Sequence, residues 1–260
     1  MPRFFTLFFL FSFFFFFHFS FSHDTNLLPR PLILEYSELV GEELKLRCRS
    51  WRVAGEANNL SPWKTIPEEC EEYVKEYMVG KSYVFDLELV SKEAEDYAKT
   101  VKLNGDGKDA WIFDIDETLL SNIPYYADHR FGLELFDHEE FNKWVEKGMA
   151  LAIKPSLKLY EDVLKLGFKV ILLTGRSERH RSVTVDNLIS AGFRDWHQLI
   201  LRNSEDHGKL ATIYKSEKRS EMEKDGYRIH GNSGDQWSDL LGFSLSVRSF
   251  KLPNPMYYIP

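Results

Sequence analysis

The sequence predicts an α/β fold: a mostly parallel sheet with helices on both faces. Three observations carry this. From Ala110 onward, short apolar runs alternate with helical stretches, the pattern of parallel strands joined by crossover helices. A chain of 260 residues, 43% hydrophobic and 28% charged, can bury a core without a dense disulfide framework, and it has only two cysteines. Its chemically capable polar residues gather where apolar runs end, and in such sheets ligands sit at the carboxyl ends of strands.

The first element is an address. Arg3, an apolar run from Phe4 to Phe17, a polar break at His18 and the small-residue pattern Ser20-Phe21-Ser22 read as a cleavable signal peptide over residues 1–22. An uncleaved anchor is the alternative, because the run is nearly long enough to span a bilayer. The mature chain then begins near His23 in the secretory pathway, extracellular or vacuolar, with no membrane segment left. In that oxidising route Cys48 and Cys70 read as one disulfide, with two buried thiols as the alternative. Asn59-Leu60-Ser61 is the sole glycosylation sequon, and Pro62 directly after it disfavours use.

Residues 23–104 form an N-terminal extension, mainly helical. Up to about residue 66 the stretch is mixed and rich in turn formers, with Trp51 and Trp63, and is expected to wrap a neighbouring surface. Pro67-Glu68-Glu69 then opens a helix that carries Cys70, Tyr73, Val74, Tyr77 and Met78 on one face and ends near Gly80. A second helix runs from about Ser82 to Lys102, with Tyr83, Leu87, Val90, Ala94 and Tyr97 aligned for a core. The α/β body, residues 105–260, follows the turn Gly105-Asp106-Gly107. Its expected strands are Ala110 to Asp114, Phe168 to Thr174, Gln198 to Arg202, Tyr227 to Gly231 and Phe243 to Val247.

Four polar clusters lie at strand ends. In the first, a strand runs into Asp114 and Asp116, whose period-two spacing turns both carboxylates to one side. Such a pair supplies a nucleophile beside a general acid/base, or half of a magnesium site. The second is Thr174-Gly175-Arg176, where a hydroxyl, an approachable amide and a cation can all contact a phosphoryl oxygen; it is also an ordinary turn. Lys215, before a highly charged helical stretch, is the third. The fourth is Gly231-Asn232-Ser233-Gly234-Asp235-Gln236-Trp237-Ser238-Asp239, whose acids four apart suit a hard cation. With 33 Lys and Arg against 40 Asp and Glu, a net charge of -7 and a pI near 5.7, no general excess of positive charge exists for a polyphosphate backbone. Nucleic-acid partners are therefore not expected, and a small phosphoryl ester suits the lone Lys215 better than a nuclease reading does.

Asp114-Ile115-Asp116-Glu117-Thr118, then Thr174, Lys215 and Asp235-x-x-x-Asp239, at intervals of 60, 41 and 20 residues, resemble the four motifs of the haloacid dehalogenase (HAD) superfamily. The segments Leu119-Leu120-Ser121-Asn122, Pro124-Tyr125-Tyr126, Gly234 to Asp239 and Lys251-Leu252-Pro253-Asn254-Pro255-Met256-Tyr257-Tyr258 resemble more narrowly the plant acid phosphatases related to vegetative storage proteins. The resemblance implies a HAD-type Rossmann-like sheet with a helical cap inserted at about 122–155, where Phe136, Phe141, Trp144 and Val145 have helical spacing. It implies hydrolysis of small phosphomonoesters through an aspartyl phosphate on Asp114, with Asp116 as general acid and base. Thr174 and Lys215 would hold the phosphoryl group, with Gly175 and Arg176 beside them. Mg²⁺ would be held by Asp114, Asp235, the carbonyl of Asp116 and, directly or through water, Asp239. Tyr125 and Tyr126 would form an aromatic wall for the leaving group. A storage protein with weak or no activity is the alternative role, and a homodimer is compatible with the family.

Overall fold

A computed structural model describes residues 40–260, which belong to one compact unit. The expected signal peptide and its cleavage site lie outside the described residues. Among the described residues no helix is long and apolar enough to cross a membrane.

Three helices open this unit: α1 (Val40–Glu56), α2 (Glu71–Met78, entered through a 3-10 turn at Glu68–Cys70) and α3 (Lys81–Thr100). Next come β1 (Asp109–Phe113), β2 (Leu120–Ser121), α4 (Ile123–Asp128), α5 (His138–Glu146), β3 (Leu151–Ala152) and α6 (Lys154–Leu166). The chain ends through β4 (Lys169–Ser177), α7 (Arg181–Ala191), β5 (Gln198–Arg202), α8 (Ala211–Lys224), β6 (Arg228–Gly234), α9 (Trp237–Leu240) and β7 (Arg248–Lys251).

The five-stranded sheet has the order β5-β4-β1-β6-β7, with every pairing parallel. β1 is central and wholly buried because both faces are covered. Its alternating side chains serve two cores: Trp111 and Phe113 pack with Tyr160, Val163, Phe168 and Leu188 under α3, α6 and α7. Ala110 and Ile112 face Ile171, Leu173, Tyr214 and Met222 under α8. From β1 the chain moves outward through β4 and β5, then crosses to β6 on β1's other side. This reversal opens a crevice at the carboxyl ends of β1, β4 and β6, where ligands bind in sheets of this kind.

Two expectations need correction. The turn-rich stretch before residue 66 contains a helix, α1. Its order comes from tertiary ties: the Cys48–Cys70 disulfide, Trp51 packed edge-on against Trp63 at 5.4 Å, and Glu56, whose carbonyl accepts from Trp237 Nε1 at 2.8 Å. The last strand lies at Arg248–Lys251, not at Phe243 to Val247. The period-two pattern is real, but its apolar side chains Phe243, Leu245 and Val247 are exposed. α8 takes this backbone first: Arg219 Nε donates to the Ser244 carbonyl at 2.7 Å, and Ser244 N–H donates to Ser216 Oγ at 2.9 Å. The register with β6 therefore starts at Arg248, opposite Gly231, led in by one backbone bond from Val247 N–H to the Ile229 carbonyl at 2.9 Å.

Cys48 and Cys70, 22 residues apart, form the disulfide that joins α1 to the start of α2. Closing a loop of that size restricts the unfolded chain and contributes about 3 kcal/mol. Reduction is expected to lower the denaturant midpoint accordingly, measured with and without reductant at fixed pH. An unchanged midpoint would show that the bond adds no stability. Asn59 is exposed in the turn that closes α1.

Candidate active site

The first acidic cluster sits in a tight turn directly after β1. The Ile115 carbonyl accepts from the backbone of Thr118, Leu119 and Leu120, and Asp114 N–H donates to the Ser233 carbonyl of β6 at 3.0 Å. Glu117 takes a left-handed backbone, φ 53°, strained for a side chain with a Cβ. The turn offsets that strain by seating Glu117 in a fully buried hydrogen-bonded pocket: it accepts from Asn122 N–H at 2.5 Å, Asn122 Nδ2 at 3.0 Å and Tyr257 Oη at 2.8 Å.

Asp114 is 6% exposed, with Lys215 Nζ at 2.5 Å. The same ammonium also donates to Asp239 Oδ1. Lys215 comes from the first turns of α8, so the strand-end nucleophile candidate and its cation are brought together across 101 residues. Burial opposes the Lys215 charge, but Asp114 and Asp239 outweigh it and hold the ammonium above its ordinary pKa. Burial pushes the Asp114 carboxyl well up against the attraction of Lys215, with Asp239, Asp235 and Asp116 adding repulsion.

Asp235 ends the run from β6, with Oδ2 accepting from Gln236 Nε2 and Asn254 Nδ2, both at 2.7 Å. Burial first, then the charges of Asp239 and Glu117, lift its pKa to about 7. Asp239, on α9, uses Oδ2 to accept from Gln236 N–H at 2.9 Å, closing the helix's capping box. Gly234 allows its approach: a Cβ there would lie 2.5 Å from Asp239 Cβ. Carboxylate oxygens of Asp114, Asp235 and Asp239 lie within 4.8 Å of one another. Three buried carboxylates against the single ammonium of Lys215 leave excess negative charge, and an all-oxygen donor set of this kind fits a hard divalent cation.

Asp116 has a different environment. Arg176 grips it at the side, Nη2 to Oδ1 at 2.7 Å and Nε to Oδ2 at 3.1 Å, while Asn122 Nδ2 donates to Oδ1 at 2.9 Å. Burial pushes this carboxyl up, but the Arg176 guanidinium and the Asn122 amide prevail and hold it below its ordinary value. The two aspartates of the first cluster are thus driven apart in proton affinity, Asp114 upward and Asp116 downward.

The segment Ile123 to Glu146, which carries α4 and α5, lies between the paired strands β2 and β3, within the stretch expected to insert as a cap at about 122–155. With the core it encloses a cavity of about 200 Å³ over the acids, lined by Tyr126, Phe136, His138, Phe141 and Val145 from the cap side. Asp114, Asp116, Gly175, Arg176, Lys215, Asp235 and Asp239 form its floor, and Tyr257 and Ile259 of the C-terminal tail close another wall. Of the expected pair, Tyr126 lines this space; Tyr125 stands behind it, stacked on His129 at 4.1 Å and edge-on to Phe141 at 5.2 Å. Thr174 is fully buried and does not itself line the cavity; its Oγ accepts from Arg176 N–H at 3.1 Å, leaving its own proton to donate.

Several contributors carried no role in the sequence reading. Asn122, Glu117, Gln236, Asn254 and Tyr257 make the network around the acids, and Arg219 braces the carbonyls of Asp239, Leu241 and Ser244. Arg219 had a local signal, one helical turn after Lys215, and the other five fall inside the motif segments quoted above, where no role was given to them. Tyr257 meets Glu117 across 140 residues, a distance at which no spacing rule operates.

A model of the HAD superfamily, subfamily IIIB (acid phosphatase), matches residues 36–260. Acid phosphatase 1 of Solanum lycopersicum is 67% identical over 236 residues, 91% of this chain and 92% of that protein. Vegetative storage protein 2 of Arabidopsis thaliana is 41% identical over 215 residues, 82% and 80% of the two chains. Among solved structures, the class C acid phosphatase from Bacillus anthracis superposes with a TM-score of 0.61 at 20% identity, over 72% of this chain and 85% of that one, a likeness of fold. The chain therefore belongs to subfamily IIIB of the HAD superfamily, the acid phosphatases.

Proposed function

We propose that this protein hydrolyses small phosphomonoesters through an aspartyl phosphate on Asp114, with magnesium as its metal. The observation that carries the reading is the Asp114 carboxylate held 2.5 Å from Lys215 Nζ on the floor of an aromatic-walled cavity. Asp114 and Asp235, with the Asp116 carbonyl, would hold the cation, and Asp239 steadies both it and Lys215. When bound, magnesium supplies positive charge to phosphoryl oxygens and offsets the carboxylates that would otherwise repel the substrate.

The remaining steps belong to the chain's own residues. Lys215, the Thr174 hydroxyl and the Gly175 amide orient and neutralise the phosphoryl group while an Asp114 oxygen attacks phosphorus. An arriving phosphate competes with Asp116 for Arg176, and loss of that guanidinium raises the Asp116 carboxyl so that it carries the proton the leaving alcohol needs. After that transfer Asp116 takes a proton from the water that hydrolyses the aspartyl phosphate. Tyr126, Phe141 and Tyr257 exclude water and flank the leaving group.

The leader composition and the disulfide support a secreted or vacuolar location, with exposed Asn59 as a carbohydrate acceptor. The similarity to a vegetative storage protein favours a second role as an amino-acid reserve. The test is an assay of purified mature protein on a panel of phosphomonoesters from pH 4 to 8, with and without magnesium. Metal-dependent turnover at acidic pH supports the reading, and no turnover on any ester would leave only the storage role.

A further inference from the structure

We propose that Asn122 is a positioning residue for Asp116, and that Trp144 on the cap helix α5 sets it, so that seating of the cap is communicated to the acid/base carboxylate. The inference rests on the reading of Asp116 as general acid given above. Asn122 is fully buried, and each of its polar groups is committed. Nδ2 donates one hydrogen to Asp116 Oδ1 at 2.9 Å and one to Glu117 Oε2 at 3.0 Å, its backbone N–H donates to Glu117 Oε1 at 2.5 Å, and Oδ1 accepts from Trp144 Nε1 at 2.8 Å.

These partners leave one orientation for the amide. Indole N–H can only donate, and the Asp116 carboxylate, held ionised by Arg176, can only accept, so a flipped amide would oppose oxygen to oxygen at Asp116 and nitrogen to nitrogen at Trp144. Glu117 is in turn held by Tyr257 Oη at 2.8 Å, which fixes the far side of the amide from the C-terminal tail. Asp116 thus has two side-chain anchors of different character. Arg176 lines the cavity and is the one a phosphate can recruit, whereas Asn122 lies beneath the turn and cannot leave. Once Arg176 has turned to the substrate, Asn122 is what keeps Asp116 aimed at the ester oxygen. At that stage the proton passes from Asp116 to the leaving oxygen as the P–O bond breaks and the Asp114 oxygen–phosphorus bond forms.

Trp144 is the cap's contribution. It sits on α5, whose neighbours Phe141 and Val145 line the cavity, so an α5 displaced from the core withdraws the Nε1 donor and frees the amide to turn. Loss of aim at the acid weakens catalysis in proportion to how much the leaving group needs a proton, which a general loss of packing does not do.

The experiment compares Asn122→Ala, Trp144→Phe and Asp116→Asn with the wild type on an alkyl phosphate and on nitrophenyl phosphate, at saturating magnesium. General acid catalysis is worth on the order of a hundredfold or more, so Asn122→Ala should lower kcat for the alkyl ester at least about tenfold more than for the aryl ester, with KM within about twofold. Trp144→Phe keeps an aromatic side chain on α5 but removes the indole donor together with part of the ring's bulk; it should show the same bias at about threefold, and because lost packing lowers turnover of both esters alike, the bias decides the matter if the alanine variant does not fold. Equal losses on both esters in Trp144→Phe, beside a strong bias in Asp116→Asn, would overturn the positioning role alone. No bias in Asp116→Asn would overturn the acid assignment and this inference together.

Discussion

Asp114→Asn is expected to reduce turnover by at least about a thousandfold, roughly 4 kcal/mol of transition-state stabilisation, with the melting temperature little changed. The amide has the shape of the carboxylate and can still accept from Lys215 through its oxygen, and Lys215 retains Asp239 as a counter-charge. What the amide lacks is a nucleophilic oxygen with a full negative charge. The substitution should therefore remove the step that forms the acyl phosphate and leave ester binding in place. Rapid quench with a labelled substrate checks this directly: wild type should trap label on the protein, and the variant should not. Turnover near that of the wild type would remove Asp114 as the nucleophile.

Removing divalent cations with excess chelator is expected to abolish turnover, and magnesium to restore it, with Asp235→Ala behaving like the chelated protein. Asp114, Asp235 and Asp239 bring three buried carboxylates within 4.8 Å of one another, and Lys215 is the cation between them. The stress shows in Asp235, whose pKa burial and neighbouring charge lift to about 7. A folded-state pKa above the unfolded value means that the folded chain binds more protons. Without metal, the part of the stability that Asp235 contributes should thus be fully present below about pH 4 and be lost as pH rises towards 7. Magnesium should raise the melting temperature most near neutrality, read by thermal scans at several pH values with and without chelator. Full activity in chelator, or a metal effect on melting independent of pH, would count against a cation at these acids.

The relation of sequence to structure differs from one element to the next. β1 was legible because an apolar run that ends in two acids is a local pattern, and its burial on both faces needs no more than neighbours on each side. The helix α5 was legible in part: Phe141, Trp144 and Val145 lie on it as their spacing suggests, but Phe136, read with them, precedes it. α1 was not, because its polar sequence is ordered by the disulfide and by Trp237 and Lys251, which approach it from the far end of the chain. The edge strand was misplaced by a few residues because alternation says which side chains could face a core, but not whose hydrogen bonds the backbone will take.

The same division runs through the site. By itself the sequence determined the chemical inventory: Asp114, Asp116, Thr174, Lys215, Asp235 and Asp239 in the order and spacing of strand ends, since parallel topology returns every strand end to one side of the sheet. Tertiary structure alone decided how those groups are divided: Lys215 between Asp114 and Asp239, Arg176 and Asn122 on Asp116, Tyr126 in the wall and Tyr125 behind it. The reason is range. Backbone periodicity acts over a few residues and is written in the chain, whereas pairing of the buried charges depends on distances between segments 60 residues apart for Arg176 and Asp116, 101 for Lys215 and Asp114 and 140 for Tyr257 and Glu117, which exist only once the sheet and the tail have closed on one another.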